Sequence, residues 1–525
     1  MRVTNLADVA ANLAEVEQSF DPNEFRLQDA DLWLVVRDIF LQPFNVRLGR
    51  CYRQLLGHPT HTDPFDLQQV KQESPPLQRL AHYRFQSVTS GALFNTAGID
   101  YATFSSGTDA LVYGRFTDYH ERVRGKAFNR IDDGVALLAP QGARVVKLMR
   151  SSVNGHLLSY HSPSHFLADL PAAPPPVNGE HELLNRVDAM VDWARRQGVE
   201  HVYHRTFTRD RVRSLMWRAH TFGDVLDVLR PQAIFSASTV TLERQAVVLA
   251  GRRRKLPVVD VEHGFYSPLG QYGRFGYLGR EGSPSVANWF WTWGDEQHRF
   301  LTQESIPSEA PHKVLVGGNP WGRAQQRLRD EGLLDDPEYV DTPSGLRTRA
   351  SRARRSILFC WQPDMVAHEE TPQLLPRHVV DAARAAGSST LFAVRMHPRS
   401  RHLVPAVEKL LSEADVSNFE VEEATSLPLS VLLPIIDILV TSYSTVAFEA
   451  NQIGIPVLIC DPVGAAMMRH YLREGYFMAT NDQDTTATIF REGLAVQPRV
   501  PYESDDPGAH ARAWNAIIDS ARQAN

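Results

Sequence analysis

The stretch Asp437-Ile-Leu-Val-Thr-Ser-Tyr-Ser-Thr-Val-Ala-Phe-Glu-Ala-Asn-Gln-Ile-Gly-Ile-Pro-Val-Leu-Ile-Cys460 decides the fold. It reads as strand, polar turn, short helix, glycine stop and second strand. Ile438 to Val440 is an apolar run of the kind a parallel sheet buries on both faces. Ser442, Ser444 and Thr445 are short hydroxyl residues, the type that caps a helix N-terminus. Gly454 supplies the left-handed residue that ends the helix, and Pro456 precedes the strand Val457 to Cys460. A helix that starts at the carboxyl end of a parallel strand presents free N–H groups and a partial positive charge, a place for phosphate. Thr445 and Glu449 are four apart and share a helix face, so Glu449 can reach a ribose while the hydroxyls hold phosphate. Taken alone, the same hydroxyls read equally well as plain caps.

The pattern recurs on both sides of this stretch. Ser356 to Cys360 is a strand followed by Trp361-Gln-Pro-Asp364, and Thr390 to Met396 is a strand followed by His397-Pro-Arg399. Helices are expected over Gln373 to Ala386 and Val404 to Glu413, an edge strand over Phe419 to Val421, and a final helix over His510 to Ala524. Upstream, helical spacing marks Glu182 to Gln197, Arg211 to Leu229, Thr241 to Lys255 and Gly294 to Thr302. Strands are expected at Val202-Tyr203, Ala233 to Phe235, Pro257 to Val261, Trp289 to Trp293 and Lys313 to Val316. Strands alternating with helices imply two parallel sheets covered on both faces. Residues 323–355 are charged and end in Arg347, Arg349, Arg352, Arg354 and Arg355. They read as a solvated interdomain linker, with contact to anionic lipid headgroups as the alternative.

The first 130 residues carry no repeat and no chemical motif. Leu32 to Phe40 looks helical, and Tyr83 to Thr103 mixes aromatics with Gly and Ser. Val135 to Ala139 and Arg144 to Met149 read as short strands. His156, His161 and His165 follow in a loop, but their spacing and the lack of nearby carboxylate pairs argue against a metal site.

Composition bounds the function. A chain of 525 residues exceeds one ordinary core. A net charge of −6 argues against a general nucleic-acid binder. Cys51, Cys360 and Cys460 lie far apart without a CxxC, as small buried hydrophobes do in a reducing compartment. The N-terminus lacks the apolar run of a signal peptide. The run Val431 to Val440 is too short to span a bilayer and contains Pro434 and Asp437. A cytoplasmic protein is expected, with peripheral contact at the inner face of the plasma membrane left open.

In parallel α/β sheets, ligands bind outside the carboxyl ends of the strands. Those ends carry Gln362 and Asp364, then Arg395, His397 and Arg399, then Ser442, Ser444 and Thr445, then Asp461. Imidazole, guanidinium and hydroxyl groups at one edge suit a phosphate. His397 precedes Pro398, which keeps its backbone extended. Upstream, Val261-Glu-His-Gly264 ends a strand. Gly264 permits a close backbone approach, and His263, facing a crevice between the domains, has a resting pKa suited to taking a proton from a hydroxyl. A hydrogen-bonded loop histidine is the plain alternative. Ser236, Ser238 and Glu243 end the preceding strand and open its helix.

Together with Thr292-Trp-Gly-Asp295 and Val316-Gly-Gly-Asn-Pro320, these motifs resemble the GT-B glycosyltransferases of bacterial capsule and lipopolysaccharide biosynthesis. The relation extends to the teichoic-acid glycerophosphotransferases and the CMP-sugar-using Kdo and sialyl transferases. The resemblance covers about residues 225 to 480. It implies an α/β, GT-B-like fold, two Rossmann-like domains facing a central cleft. The expected division is 1–322 on the acceptor side, Rossmann-like from about 180, then the linker 323–355, a nucleotide-sugar-binding domain 356–500 and a C-terminal helix 501–525. Carried over, the resemblance implies that His397, Ser442, Ser444 and Thr445, with Gln362, Arg395 and Arg399, hold the donor, that Glu449 binds its ribose, and that His263 is the base. Glu262, Gly264 and Ser238 stand on the acceptor side.

The implied activity moves a sugar, or a glycerol-phosphate-like group, from a nucleotide-activated donor to a polysaccharide or lipid-linked acceptor. A sugar-nucleotide epimerase and a non-catalytic nucleotide-sugar-binding subunit are the alternatives. No clear Asp-x-Asp motif is present, Asp132-Asp133 being a poor substitute, so the resemblance implies transfer without metal or other cofactor, and no nucleic-acid partner is expected.

Overall fold

A computed structural model describes residues 6–55, 107–115, 119–123, 126–150, 164–167, 175–264, 266, 273–333, 345–367, 372–495 and 508–524. The Tyr83 to Thr103 stretch, His156, His161 and the side chain of His165 lie outside the described residues, as do positions 334–344 of the charged stretch.

In chain order, helices α1 (Leu6–Ser19) and α2 (Asp38–Leu55) precede strand β1 (Thr108–Arg115) and the hairpin β2 (Tyr119–Val123) and β3 (Lys126–Asn129). Next come α3 (Asp132–Leu137), β4 (Val145–Arg150), β5 (Ser164–Leu167), α4 (Glu180–Gln197) and α5 (Arg205–Leu229). The first half then runs β6 (Pro231–Ala237), α6 (Leu242–Arg253), β7 (Val258–Val261), β8 (Trp289–Thr292), α7 (Asp295–Phe300), β9 (Lys313–Val316) and α8 (Pro320–Asp330). The second half has α9 (Gly345–Arg352), β10 (Arg355–Cys360), α10 (Arg377–Ala386), β11 (Thr390–Arg395), α11 (Val404–Glu413), β12 (Phe419–Glu420) and α12 (Glu422–Ser426). It continues through β13 (Ile438–Thr441), α13 (Val446–Gln452), β14 (Val457–Ile459), α14 (Pro462–Met467), α15 (Arg469–Arg473), β15 (Met478–Ala479) and α16 (Gln483–Glu492), and α17 (Ala509–Ala524) closes the described chain.

Two sheets result. The first has seven strands in the order β9-β8-β7-β6-β1-β4-β5, and the second has six in the order β12-β11-β10-β13-β14-β15. All their pairings are parallel. In each, the chain winds outward from a central strand, returns to that strand's other side and winds outward again. This is the doubly wound order, and it places a reversal point between β1 and β6 in one sheet and between β10 and β13 in the other. The central strands are apolar and fully buried, as a two-sided parallel sheet requires: Ile357, Leu358 and Phe359 of β10 and Ile438, Leu439 and Val440 of β13 are almost inaccessible. The expected α/β, GT-B-like architecture of two Rossmann-like sheets is therefore observed.

Helix α17 leaves the second sheet and packs on the first. Trp514 stacks on Phe235 of β6 with ring centroids 4.5 Å apart and planes 10° apart, and Ile517 and Ile518 join the same apolar cluster.

Four local expectations are corrected. Residues 135–137 lie in helix α3, not in a strand; a short apolar run does not discriminate by periodicity, and Asp132-Asp133 in the first turn suits a helix N-terminus. Val202-Tyr203 is not a strand, although the Val202 amide donates to the Ile39 carbonyl at 3.1 Å. The first sheet starts at Thr108 and not near 180, because β1, β4 and β5 supply three of its strands. The charged stretch is helical at both described ends. Trp321, Ala324 and Leu328 of α8 pack on Val123 and Phe128 of the hairpin, while Arg349 of α9 donates to the Phe419 carbonyl at 3.0 Å and pairs with Glu420.

Candidate functional site between the two sheets

The carboxyl edges of the two sheets face each other. A Cβ placed on Gly264, just after β7, would lie 3.5 Å from Thr445 Cγ2, just after β13. Gln297 of α7 donates to the Tyr471 hydroxyl at 3.0 Å, and Glu296 meets His470 at 2.7 Å. Trp293 is buried within the apolar cluster of the second sheet. The crevice is thus bounded by the ends of β7 and β8 on one side and by the second sheet's reversal point on the other, the kind of place where doubly wound sheets take ligands.

On the second sheet, the loops after β10 and β13 are tied together at the reversal point. Gln362 accepts a hydrogen bond from the Tyr443 amide at 2.9 Å. Thr441 donates to the Cys360 carbonyl at 3.0 Å. Ser444 accepts from the Val446 amide at 3.4 Å, and Thr445 is the residue preceding α13. Both are half-buried, whereas Ser442 is fully buried and its hydroxyl finds no hydrogen-bond partner among the described residues. Such a group ordinarily has a partner. His397 is half-buried directly after β11, and its carbonyl accepts from the Ser400 amide at 2.7 Å.

Arg395 donates to the carbonyls of Ala424 and Leu427 at 2.8 and 2.5 Å, which ties its guanidinium to the end of α12. Arg399 lies in the turn Pro398–Leu403, and its side chain is outside the described residues, as is that of Asp364. Asp461 caps α14 by accepting from the Gly464 amide at 2.7 Å. Glu449 points across the crevice and pairs with Arg130 at 3.3 Å.

The first sheet presents different chemistry. His263 is exposed on the turn after β7. Its neighbour Glu262 is buried, and one carboxylate oxygen accepts from the Trp293 amide at 2.6 Å. Burial pushes the Glu262 carboxyl well above the usual carboxylate range. Glu262 therefore faces the sheet edge and not solvent. Asp260 of β7 is also fully buried. It accepts from the Thr239 hydroxyl at 2.6 Å, while burial raises its carboxyl to about 7. Ser238 is buried with φ of +61°, a left-handed conformation in a non-glycine residue at the end of β6. Strain of this kind persists only where surrounding structure imposes it; here the next residue is fixed by Asp260.

The sequence reading did not single out Arg130, Asp260 or Tyr471. Asp260 carried a signal, a carboxylate inside the apolar run Val258 to Val261. Arg130 carried none, because its role depends on a hairpin that positions it against the other sheet. Among the described residues, no group of three His, Cys, Asp or Glu side chains is placed to hold a metal ion. No described helix is long and apolar enough to cross a membrane.

No protein-family model matches the chain, and no curated protein sequence does. Solved structures do. The chain is similar to UDP-bound MnaA of S. aureus, at 12% identity and a TM-score of 0.46, covering 79% of this chain and 97% of that one. It is similar to the UDP-GlcNAc 2-epimerase of Neisseria meningitidis bound to UDP-GlcNAc, at 14% identity and 0.46, covering 80% and 100%. A structure of the wall teichoic acid polymerase TagF with CDPG matches at 11% identity and 0.37, covering 79% and 83%. At these scores the likenesses transfer no residue role to this chain.

Proposed function

We propose that the chain is a nucleotide-sugar-dependent transferase acting in the crevice between its two sheets. The observation that carries this reading is the close approach of Gly264, just after β7, to Thr445, beside the reversal point of the second sheet. The donor's phosphate lies against Ser444, Thr445 and His397, with Gln362 holding the loop and Glu449 taking the ribose. An acceptor hydroxyl enters from the first sheet and gives its proton to His263. Its oxygen bonds to the donor's transferred group as the bond to the nucleotide phosphate breaks, and the nucleotide leaves with the electron pair. A hydrogen bond from the His397 imidazole to the phosphate strengthens as charge grows there, so its contribution is greatest in the transition state. The acceptor is a surface polysaccharide or a lipid-linked glycan, and no metal takes part.

A second reading is a sugar-nucleotide epimerase, favoured by the buried Glu262 carboxyl adjacent to His263, which burial pushes well above the usual carboxylate range. One experiment separates the two. CMP, CDP, UDP, GDP and their sugars are screened by thermal shift, since a ligand of the folded state raises the Tm. The stabilising donor is then incubated with protein alone and with acceptor glycans. A shift that is lost in His397→Ala, with free nucleotide formed only when acceptor is present, is the expected result. An altered sugar nucleotide formed without acceptor selects the epimerase. Binding without turnover, unchanged in His263→Ala, makes the chain a binding subunit, and no shift with any nucleotide removes the donor reading.

A further inference from the structure

Arg130 is mounted with more care than a surface ion pair needs. The loop that carries it follows hairpin strand β3, and the Asn129 side chain accepts from the amides of Ile131 and Asp132 at 2.9 and 2.8 Å. The Asn129 amide donates to Asp133 at 2.6 Å, and Asp133 is paired with Lys147 of β4 at 2.5 Å. Lys147 and Asp133 are wholly inaccessible. A buried ion pair of this kind is costly unless further hydrogen bonds complete it, and here Asn129 completes it. Gly114 of β1 makes room beside it, since a Cβ there would fall 1.6 Å from Asp132 Oδ2. The outer side of Arg130 is set by Trp321 of α8, whose ring centre is 5.3 Å from the guanidinium carbon.

This mount aims one cation of the first domain at Glu449, four residues along the helix face from Thr445. Both side chains are only 18% exposed, so solvent screens them weakly. We propose that Arg130 is a donor-reading residue supplied across the crevice: it neutralises Glu449 while the site is empty and turns to the donor's phosphate when ribose hydroxyls take Glu449. This rests on the donor site proposed above. A phosphate arriving beside Thr445 would otherwise meet the uncompensated charge of Glu449. A guanidinium can change partners without changing charge, and its planar fork suits carboxylate and phosphate alike. The ligand class is therefore a nucleoside carrying one or two phosphates, recognised by both domains at once.

The test compares cytidine with CDP, uridine with UDP, and guanosine with GDP by calorimetric titration of the full chain. Wild type, Arg130→Ala, Arg130→Lys and His397→Ala are each checked for folding by circular dichroism. In Arg130→Ala the preference for diphosphate over nucleoside falls about tenfold or more while nucleoside Kd stays within about twofold, and Arg130→Lys recovers part of the loss. An unchanged preference in Arg130→Ala overturns the proposal and leaves the ion pair as a strap between domains. Parallel weakening of nucleoside and diphosphate also overturns it, because the residue then acts through domain arrangement. If the wild type binds none of the six, the donor site itself fails and this inference falls with it. Binding lost in His397→Ala but unaltered in Arg130→Ala refutes the Arg130 role alone.

Discussion

Asp260→Asn should stabilise the chain at alkaline pH and leave it unchanged near pH 4. The Asp260 carboxyl is completely buried on β7, and burial raises its pKa from 3.8 to about 7. At about 1.36 kcal/mol for each tenfold change in proton affinity, this difference corresponds to about 4 kcal/mol. Between pH 4 and 7 the folded chain keeps a proton that the unfolded chain has released. The stability tied to this group is therefore fully present below the unfolded value and is lost as pH rises through about 7. Asparagine does not titrate, and its side-chain oxygen still accepts from the Thr239 hydroxyl, 2.6 Å away in the wild type. Glu262 has a raised pKa of the same sign, and the Asp260 charge raises it further. Removing that charge therefore adds to the stabilisation at high pH and does not mask it. Calorimetric Tm values for wild type and variant would be compared at pH 4.5, 6, 7 and 8.5. The difference should be smallest at the acid end and grow to several degrees by pH 8.5. A difference that is constant across this range would refute the claim that burial holds Asp260 protonated.

Two further substitutions probe what positions the crevice. A Cβ at Gly464 would stand 2.3 Å from the Ser442 carbonyl oxygen, a backbone atom that cannot rotate away. Gly464→Ala should push α14 off the β13 loop, cost about 1–3 kcal/mol in a denaturant titration and weaken nucleotide binding with it. Loss of stability without loss of binding would show that α14 does not support the loop. Trp514→Ala removes the ring stacked on Phe235 and should cost about 3–5 kcal/mol. It should also expose α17 to limited proteolysis, and an unchanged cleavage pattern would refute the view that this ring docks the helix.

The second sheet was legible because its signals are local. Val404–Glu413 was read with its observed limits, and β10, β11, β13 and β14 all lie within apolar runs whose ends carry polar turn residues. The first sheet was legible at β4 and from β6 onward, but not at β1 or β5. Strand β1 reads Thr-Asp-Ala-Leu-Val-Tyr-Gly-Arg, with polar residues at its ends and glycine near its exit. Its central place depends on neighbours β4 and β6, more than thirty and a hundred residues downstream. Gly114 in particular answers to the Asp132 carboxylate, a tertiary contact without a sequence pattern. The site divided in the same way. Chain adjacency marked His263, His397 and Thr445, whereas the engagement of Arg395 with the end of α12 follows from how helices settle around the sheet.

The two edges differ in charge in a way that favours one division of labour. The first sheet's edge buries Asp260 and Glu262, carboxyls that burial holds above their usual range. An anion bound against them would raise the cost of ionising either group further. The second sheet's edge presents the hydroxyls of Ser444 and Thr445 with His397, and the Glu449 carboxylate in the crevice is already answered by Arg130. A phosphate is therefore less costly on the second edge, and a neutral hydroxyl with a proton to lose is less costly on the first. In the proposed transfer the acceptor's proton goes to the exposed His263, because the neighbouring carboxyl is engaged with the Trp293 amide. In the proposed transferase the donor and acceptor halves are set apart by what each edge can bury without leaving a charge unpaired.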